Sequence, residues 1–212
     1  QGINGFSNLA IKRFKTTKKA KLLEYFSSIY SSGRRLLALL NDLLDLSKLE
    51  AGMVVYNLEK SKMSELVFNA INGLESLAKE KNIRIEFQPP KFADVVTLDK
   101  EIITQLIVNL LSNAIKFSEP GSEIRVESDI RDESFSLSVI DKGIGVPNNE
   151  LESIFDKFIQ SSKTKTGAGG TGLGLAICKE IIQAHNGKIW AENNPEGGST
   201  FNFMLPYEAE VK

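Results

Sequence analysis

Apolar residues recur at helical spacing over the first quarter of the chain. From Lys18 to Glu50 one series of apolar residues recurs at intervals of four and three residues, and a second series lies next to it on the helix surface. Together they predict a long helix with a wide apolar stripe. The segment from Ile3 to Phe14 has similar spacing, and Gly52 follows the last periodic residues as a helix stop. Two antiparallel helices bury little surface, so we expect the hairpin of residues 1–52 to be completed by a second copy in a dimeric four-helix bundle.

Beyond Gly52 the pattern changes to a mixture of helices and strands, which predicts an α+β fold for a second domain of residues 53–212. We expect a mostly antiparallel sheet that is covered on one face by helices. The predicted helices are Met63–Lys81, a helix capped by Asp99 that runs to Phe117, and Gly172–His185. The predicted strands are Ile83–Phe87, Val95–Thr97, Ile124–Ser128, Ser134–Ile140, Lys188–Glu192 and Ser199–Leu205.

Composition is that of a soluble globular protein and argues against several classes. Charged residues make up 25% of the chain and the formal net charge is −1, which gives no bulk attraction to nucleic acid or to acidic membranes. The single cysteine, Cys178, excludes an internal disulfide framework. No apolar run approaches the roughly 18 residues that cross a bilayer. We therefore expect this part of the protein to lie in the cytoplasm, outside the membrane and without a nucleic-acid partner.

Three polar residues share one face of the predicted helix that ends at Phe117. Asn109, Asn113 and Lys116 are spaced by four and three residues on a helix that is otherwise apolar. Asparagine oxygens are hard ligands of the kind that suits Mg²⁺, and a lysine beside them can meet phosphate oxygens. Taken alone, the pattern fits a pair of surface amides equally well.

An aspartate follows the predicted strand Ser134–Ile140. Asp141 begins the sequence Asp-Lys-Gly-Ile-Gly, in which Gly143 and Gly145 would let the backbone pass close to a ligand. A carboxylate at a strand end can accept a hydrogen bond from the exocyclic amine of adenine. By itself this motif is better explained as a turn.

A glycine-rich segment opens the last predicted helix. Glycine-rich backbone at a helix N-terminus offers free N–H groups and the positive end of the helix dipole to phosphates. Gly167–Gly172 matches the dinucleotide-binding pattern G-x-G-x-x-G, but Ser161–Thr166 is polar and not the buried strand that this pattern requires. No Gly-Lys-Ser/Thr sequence closes a Walker loop either. We therefore predict a mobile loop over Ser161–Gly170 and neither a Rossmann fold nor a P-loop.

The order and spacing of these segments resemble the catalytic domain of histidine kinases, in the superfamily shared with DNA gyrase, the ninety-kilodalton heat-shock chaperone and MutL-type repair proteins. Asn109–Phe117 resembles the N box, Asp141–Gly145 the G1 box, Phe155–Phe158 the F box and Gly170–Leu175 the G2 box. The end of the long helix, Asn41–Gly52, is similar to the second dimerisation helix of hybrid-type sensor kinases. The resemblance covers nearly the whole chain and implies a Bergerat-type α/β sandwich after the helical hairpin.

The resemblance implies ATP and Mg²⁺ as cofactors and gives roles to individual residues. Asn113 would hold Mg²⁺, Asp141 would read adenine, and Lys163–Thr171 would form a lid over the nucleotide. The other residues expected at the nucleotide are Asn109, Lys116, Phe117, Gly143, Gly145, Gly170, Thr171, Gly172, Leu173, Gly174 and, in support of the adenine site, Thr200.

The phosphoacceptor motif of the family, His-Glu/Asp-x-x-x-Pro-Leu, does not occur in this sequence. The single histidine, His185, ends a catalytic-domain helix, so we interpret it as structural and assign no catalytic residue. Residues Gln1–Phe6 resemble those that follow the Pro-Leu pair, so the acceptor histidine is expected before Gln1.

The resemblance also implies a function and partners. It implies an ATP-dependent protein-histidine kinase of a two-component phosphorelay, which passes the γ-phosphoryl group to the upstream histidine and then to an aspartate of a response-regulator receiver domain. It further implies a homodimer through residues 1–50 and a parent protein anchored in the bacterial inner membrane.

Two alternatives remain open. A non-catalytic regulator could use the same fold to dimerise with another sensor kinase and inhibit it, although the boxes are intact. An ATPase machine of the chaperone or topoisomerase kind relies on a glutamate one turn before the metal-binding asparagine to activate water. That position is Asn109 here, which favours a kinase over a hydrolase.

Overall fold

The computed structural model describes residues 3–13, 19–131, 134–164 and 170–207. The chain divides into two compact units, Gln1–Asp45 and Leu46–Lys212. Leu46 is 2% exposed and belongs to the core of the second unit, so the division falls inside the long helix. The domain boundary at residue 52 stays a prediction. No helix in the described ranges is long and apolar enough to span a membrane.

The first unit is a helical hairpin of α1 (Ile3–Arg13) and most of α2 (Lys19–Glu50). The rings of Phe6 and Tyr25 lie 6.3 Å apart, and Ile3 approaches Gly33. Earlier residues of α1 therefore face later residues of α2, as in an antiparallel pair. Phe14 and Lys18, two of the predicted helix ends, lie outside the described residues. The exposed apolar residues of α2 within this unit include Leu23, Phe26, Tyr30, Leu36, Leu37, Leu40, Leu43 and Leu44.

Helix α2 ends at the predicted glycine. Gly52 has a φ of 62°, its N–H donates to the carbonyl of Leu49, and the N–H of Met53 donates to the carbonyl of Lys48. This is the paired hydrogen-bond pattern of a Schellman motif, which satisfies carbonyl groups that the helix itself leaves unpaired.

Within the described residues, the second unit contains a five-stranded sheet, three α-helices and three short 3-10 helices (Asn148–Glu150, Ser153–Phe155 and Ser162–Thr164). Its elements, in chain order, are β1 (Glu59–Lys62), α3 (Met63–Glu80), β2 (Arg84–Phe87), β3 (Val95–Leu98), α4 (Lys100–Phe117), β4 (Glu123–Arg131), β5 (Ser134–Ile140), α5 (Gly174–Ala184), β6 (Lys188–Asn193) and β7 (Ser199–Pro206). The strand order is β2-β4-β5-β7-β6, and among the strands in the described part of the chain only the β2–β4 pair is parallel. The predicted α+β class with a mostly antiparallel sheet is confirmed.

Alternating residues of the central strands face the helices and form the core. On β5 these are Phe135, Leu137 and Val139, all buried. The same pattern on β7 adds further buried apolar side chains, and α4 and α5 complete the cluster. Between them, Ser136 and Ser138 point to the opposite face of the sheet, as the period of two requires.

Two details of the sequence prediction are wrong. Strand β1 was not predicted, because Glu59–Lys62 is polar, and it pairs antiparallel with β3 to form a separate two-stranded sheet. Helix α5 begins at Gly174 and not at Gly172, because Leu173 is the N-cap residue and the hydroxyl of Thr171 accepts a hydrogen bond from the Leu173 N–H.

Candidate functional site

The polar face of α4 meets the start of α5. Asn109, half-buried, donates from Nδ2 to the carbonyl of Gly174 at 2.8 Å. A Cβ atom at Gly174 would lie 2.7 Å from Oδ1 of Asn109, so only glycine permits this approach. The predicted N box and G2 box are therefore in direct contact, and one end of the Asn109 amide is used to hold them together.

Asn113 lies one turn further along the same face of α4 and is half-buried. Within the described residues no hydrogen bond holds its side chain, so its amide oxygen is free to meet a ligand. The described ranges contain no group of three His, Cys, Asp or Glu side chains that could hold a metal ion. A Mg²⁺ ion held by Asn113 would therefore take most of its ligands from nucleotide phosphates and water, which is the usual arrangement for this metal.

Lys116 is the cation of this face. Its Nζ lies 4.7 Å from the ring centroid of Phe117, and a Cβ at Gly170 would lie 3.2 Å from it. Burial, and secondarily the charge of Lys81, lowers the pKa of Lys116. Lys116 therefore lies beside the glycine-rich segment that precedes α5, where an anion would gain from its charge.

Asp141 is the most buried carboxylate of the candidate site. It is 2% exposed, and its Oδ1 accepts hydrogen bonds from the N–H groups of Gly143 at 2.8 Å and Ser199 at 3.2 Å. Its Oδ2 accepts from the Ser199 hydroxyl at 2.6 Å. Burial raises the pKa of Asp141 above its usual value, while the three hydrogen bonds oppose that rise.

The loop after Asp141 packs directly on the end of α4. Ser118 and Gly143 form an isolated antiparallel bridge, and a Cβ at Gly143 would lie 2.6 Å from the carbonyl oxygen of Phe117. Gly145 has a φ of 65°, a left-handed conformation that glycine adopts without strain. The predicted adenine-side residues and the end of the N box therefore form one continuous surface.

Two asparagines outside the predicted boxes hold the backbone of Asp141 and Val146. Asn193 bonds both backbone groups of Val146, donating to its carbonyl at 2.6 Å and accepting from its N–H at 2.9 Å. Asn194 donates to the carbonyl of Asp141 at 2.9 Å and accepts from the hydroxyl of Thr200 at 2.6 Å. Thr200 thus reaches Asp141 through Asn194. The run Asn193-Asn194 before Gly197-Gly198 is the sequence signal for these contacts, but the same residue types are common in any turn between strands.

The segment before α5 is held to the predicted F box. The carbonyl of Gly172, whose φ is 72°, accepts from the N–H of Phe158 at 2.9 Å. Gln160 donates from its side chain to the carbonyl of Gly170 at 2.7 Å. Phe155 is a core residue whereas Phe158 is 59% exposed. Of the predicted lid, residues 165–169 lie outside the described residues.

His185 lies away from these groups and is fully buried. Its Nε2 accepts from the N–H of Asp99 at 3.3 Å, and its Nδ1 lies 2.8 Å from the carbonyl of Ile181. The edge of the Tyr56 ring packs against it at 5.1 Å. Burial lowers the pKa of His185, so the neutral form is favoured. Both ring nitrogens are occupied, which leaves this histidine in a structural position.

Two family models match the chain. The model described as "Histidine kinase-, DNA gyrase B-, and HSP90-like ATPase" matches residues 98–209, and the model "His Kinase A (phospho-acceptor) domain" matches residues 1–52. The first alone covers more than half of the chain, and it contains every residue assigned above to the candidate site.

Individual relatives agree with the family models. The sensor histidine kinase WalK of Bacillus subtilis is 38% identical over 83% of this chain and 29% of its own length. The chain spans about a quarter of the length of several curated relatives that it matches.

Solved structures of histidine kinases share the fold. Full-length ShkA in complex with AMPPNP is 27% identical with a TM-score of 0.75, over 99% of this chain and 44% of that one. Histidine kinase ThkA in complex with the response regulator TrrA is 26% identical with a TM-score of 0.78, over 97% of this chain and 57% of that one. From its family models, its relatives and its fold, the chain belongs to the bacterial two-component sensor histidine kinases, with a catalytic domain of the histidine kinase-, DNA gyrase B- and HSP90-like ATPase family.

Proposed function

We propose that this chain is the ATP-binding and dimerisation part of a protein-histidine kinase, which transfers the γ-phosphoryl group of ATP to a histidine nitrogen. The observation that carries the proposal is the buried carboxylate of Asp141 beside the polar face of α4. A strand end supplies the carboxylate and a helix face supplies amide and ammonium groups, which together match the two ends of a nucleoside triphosphate.

The hydrogen bonds of Asp141 support its role at adenine. An ionised carboxylate offers about four acceptor positions. Gly143 and Ser199 donate two N–H bonds to Oδ1, and the Ser199 hydroxyl donates one bond to Oδ2. One acceptor position on Oδ2 is left for a ligand donor, and the exocyclic amine of adenine is a donor of the right kind. The oriented carboxylate would thereby select adenine over a base that carries an oxygen at that position.

The groups on α4 and before α5 support phosphate binding. Lys116 would place a positive charge beside the phosphates, and N–H groups of the segment Gly170–Gly174 would donate to phosphate oxygens at the start of α5. The N–H of Leu173 would have to give up its bond to the Thr171 hydroxyl to take part. Asn113 would supply an oxygen ligand to Mg²⁺, which when bound neutralises phosphate charge. Asn109 would act mainly on Gly174, since its Nδ2 already donates there. The chain would thus promote transfer by positioning and charge neutralisation.

The acceptor and the later partners follow from the family. We propose an acceptor histidine on the first dimerisation helix upstream of Gln1, and a receiver-domain aspartate as the next acceptor. ThkA, a related kinase, has been solved with a response regulator, which supports such a partner.

We propose dimerisation through residues 1–50. It is supported by the exposed apolar stripe of α2 and by a cleft of about 460 Å³ in the hairpin, which is lined by residues including Ile11, Phe26 and Ile29. We further propose a cytoplasmic location and a parent protein anchored in the bacterial inner membrane, which fractionation of the full-length protein would test.

The test is calorimetric binding of AMPPNP, with and without Mg²⁺, to the parent chain, Asp141→Ala and Asn113→Ala. We expect Asp141→Ala to lose binding under both conditions, because the adenine acceptor is gone. We expect Asn113→Ala to lose mainly the gain in affinity that Mg²⁺ provides. Asn72→Ala, an exposed asparagine on the neighbouring helix α3, is the matched control and should bind as the parent does.

Phosphotransfer is tested on a chain extended upstream to include the expected histidine. Incubation with γ-labelled ATP should place label on that histidine, and its replacement by glutamine should abolish the label. A folded parent chain that fails to bind AMPPNP would contradict the proposal at the binding step. An extended chain that binds AMPPNP but transfers no label would contradict it at the transfer step.

A further inference from the structure

A lysine from α3 closes the carbonyl end of α4. Lys81, the C-cap residue of α3, donates from Nζ to the carbonyls of Lys116 at 2.7 Å, Ile115 at 3.0 Å and Ser118 at 3.4 Å. An ammonium group has three donors, so these contacts use all of them. The side chain is half-buried and crosses 34 to 37 residues of sequence to reach its acceptors.

These carbonyls belong to the negative end of the α4 dipole. The last carbonyls of a helix lack partners within the helix, and a cation near them is stabilising. The Ser118 N–H still donates to the carbonyl of Ala114 at 3.0 Å, so Lys81 acts on groups that the helix leaves open. The backbone carbonyl of Lys81 accepts from the N–H of Gly121 at 3.1 Å, which fixes the chain that leaves α4 to the same residue.

The segment that Lys81 holds carries both sides of the candidate nucleotide site. Lys116 provides the phosphate-side charge, and the carbonyl of Phe117 packs against Gly143. Ser118 bridges to Gly143, whose N–H in turn donates to Asp141. A shift of the α4 terminus would therefore move the phosphate-side lysine and the backbone under the adenine together.

We propose that Lys81 is a positioning residue for nucleotide binding, whose ammonium group fixes the carbonyl end of α4 and through it Lys116 and the Gly143 backbone. The inference rests on the proposed ATP-binding function and deepens it. The Lys81 charge is also close enough to Lys116 to contribute to the lowered pKa of that lysine, after burial. The two cations repel each other, and the bonds of the Lys81 ammonium group to three carbonyls hold it in place against that repulsion.

The test compares Lys81→Met, Lys81→Arg and the matched control Lys79→Met by calorimetric titration with AMPPNP and Mg²⁺. Lys79 stands two residues earlier, in the last turn of α3, and forms an exposed ion pair with Glu75. Titrations are made at low temperature, on variants that circular dichroism has first been used to check for folding. We expect Lys81→Met to bind about tenfold more weakly, because charged hydrogen bonds at the helix end are lost. Lys81→Arg should stay within about threefold of the parent, because arginine keeps the charge and the donors.

A second measurement separates positioning from general stability. In amide NMR spectra of the ligand-free protein, Lys81→Met should shift the Gly143 signal, while Lys79→Met should leave it unchanged. If Lys81→Met does not fold, Lys81→Gln takes its place under the same criteria, because glutamine removes the charge and shortens the side chain while remaining polar.

Equal AMPPNP affinity of folded Lys81→Met and parent would overturn the positioning role and leave the proposed function intact. Failure of arginine to restore binding in a folded variant would also overturn it. A parent chain that does not bind AMPPNP would overturn the proposed function and this inference with it.

Discussion

The substitution Asp141→Asn separates nucleotide recognition from folding. Asparagine has the same shape, and its Oδ1 can still accept from the N–H groups of Gly143 and Ser199. Its Nδ2 can donate to the Ser199 hydroxyl, which accepts as readily as it donates. The substitution changes the hydrogen-bonding position of Oδ2 that Ser199 leaves open. In Asp141 this position is the acceptor proposed for adenine, and in asparagine the Nδ2 atom makes it a donor.

The loss of ATP affinity can be estimated from that one position. A hydrogen bond to a charged acceptor contributes about 1.5 to 3 kcal/mol, and two donors left facing each other add a cost of about 1 kcal/mol. The sum of roughly 2.5 to 4 kcal/mol corresponds to a fall in affinity of about 70- to 900-fold. An inosine nucleotide carries an oxygen where adenine carries the amine, so the variant should lose much less affinity for it.

Asp141→Asn should not lower the free energy of unfolding, although it lowers the affinity for ATP. Burial raises the pKa of Asp141 in the folded state, so its protonated form favours folding. The contribution of this group to stability is present below its unfolded pKa and is lost as pH rises through the folded pKa. At neutral pH the buried charge is a cost, and Asp141→Asn is expected to unfold at the same or a higher denaturant concentration than the parent.

The assay measures dissociation constants of ADP and IDP for the parent, Asp141→Asn and the control Asp129→Asn, an exposed aspartate on β4. The ratio of IDP to ADP dissociation constants should fall at least tenfold in Asp141→Asn and stay unchanged in the control. ADP affinity of the parent should decrease as pH is lowered through the raised pKa of Asp141, whereas that of Asp141→Asn should be flat. A folded Asp141→Asn that binds ADP within threefold of the parent would refute the assignment of Asp141 to adenine.

Three further predictions concern packing and titration. In denaturant titrations, Gly143→Ala should destabilise the protein by about 1 to 3 kcal/mol, because its Cβ would press on the carbonyl of Phe117. The control Gly73→Ala in α3, where a Cβ meets nothing within 4 Å, should stabilise the protein by roughly 0.5 to 1 kcal/mol. Burial lowers the pKa of His185, so the contribution of this residue to stability is present above its unfolded pKa and is lost as pH falls toward its folded pKa. The unfolding free energy of the parent minus that of His185→Gln should therefore fall in that pH window, by at most about 1.4 kcal/mol per pH unit. A difference that does not change with pH would contradict a neutral buried ring. Burial raises the pKa of Cys178 to about 12, so a thiol reagent at pH 8 should modify it only on the time scale of unfolding, and rapid modification of the native protein would show that the thiol is accessible.

The sequence predicted the elements of the second unit because its periodicity is strong. The α4 segment shows an apolar helical pattern, a cap at Asp99 and a basic residue in the last turn, and the structure has that helix with that cap. β5 alternates apolar and serine residues, which is the pattern of a half-buried strand, and it lies at the centre of the sheet. Strand β1 (Glu59–Lys62) shows no apolar alternation. In the described residues it pairs with the short β3, and little of its side-chain surface is buried, so its position does not require apolar residues.

The supports of the candidate site could not be predicted in the same way. Lys81, Asn193 and Asn194 act across elements that are far apart in sequence, and none of them stands in a box of the family. A lysine near a helix end and an asparagine pair in a turn are common surface features, so their sequence context does not distinguish a support from a solvated side chain. Only the distances to particular backbone carbonyls identify them.

The glycines of the boxes allow close packing within the protein itself, independently of any ligand. The sequence interpretation assigned Gly143 and Gly174 to the approach of a nucleotide, but the atoms that a Cβ would meet belong to the protein itself: the carbonyl of Phe117 in one case and the amide of Asn109 in the other. The missing side chains let the N box touch both the G1 box and the G2 box, and the contacts of Asn109 and Asp141 depend on that closeness. Substitution of these glycines should therefore lower stability and nucleotide affinity together. The substitution Asp141→Asn should lower only the affinity, because the acceptor position that it changes is the one proposed to face adenine, while asparagine can keep the other hydrogen bonds.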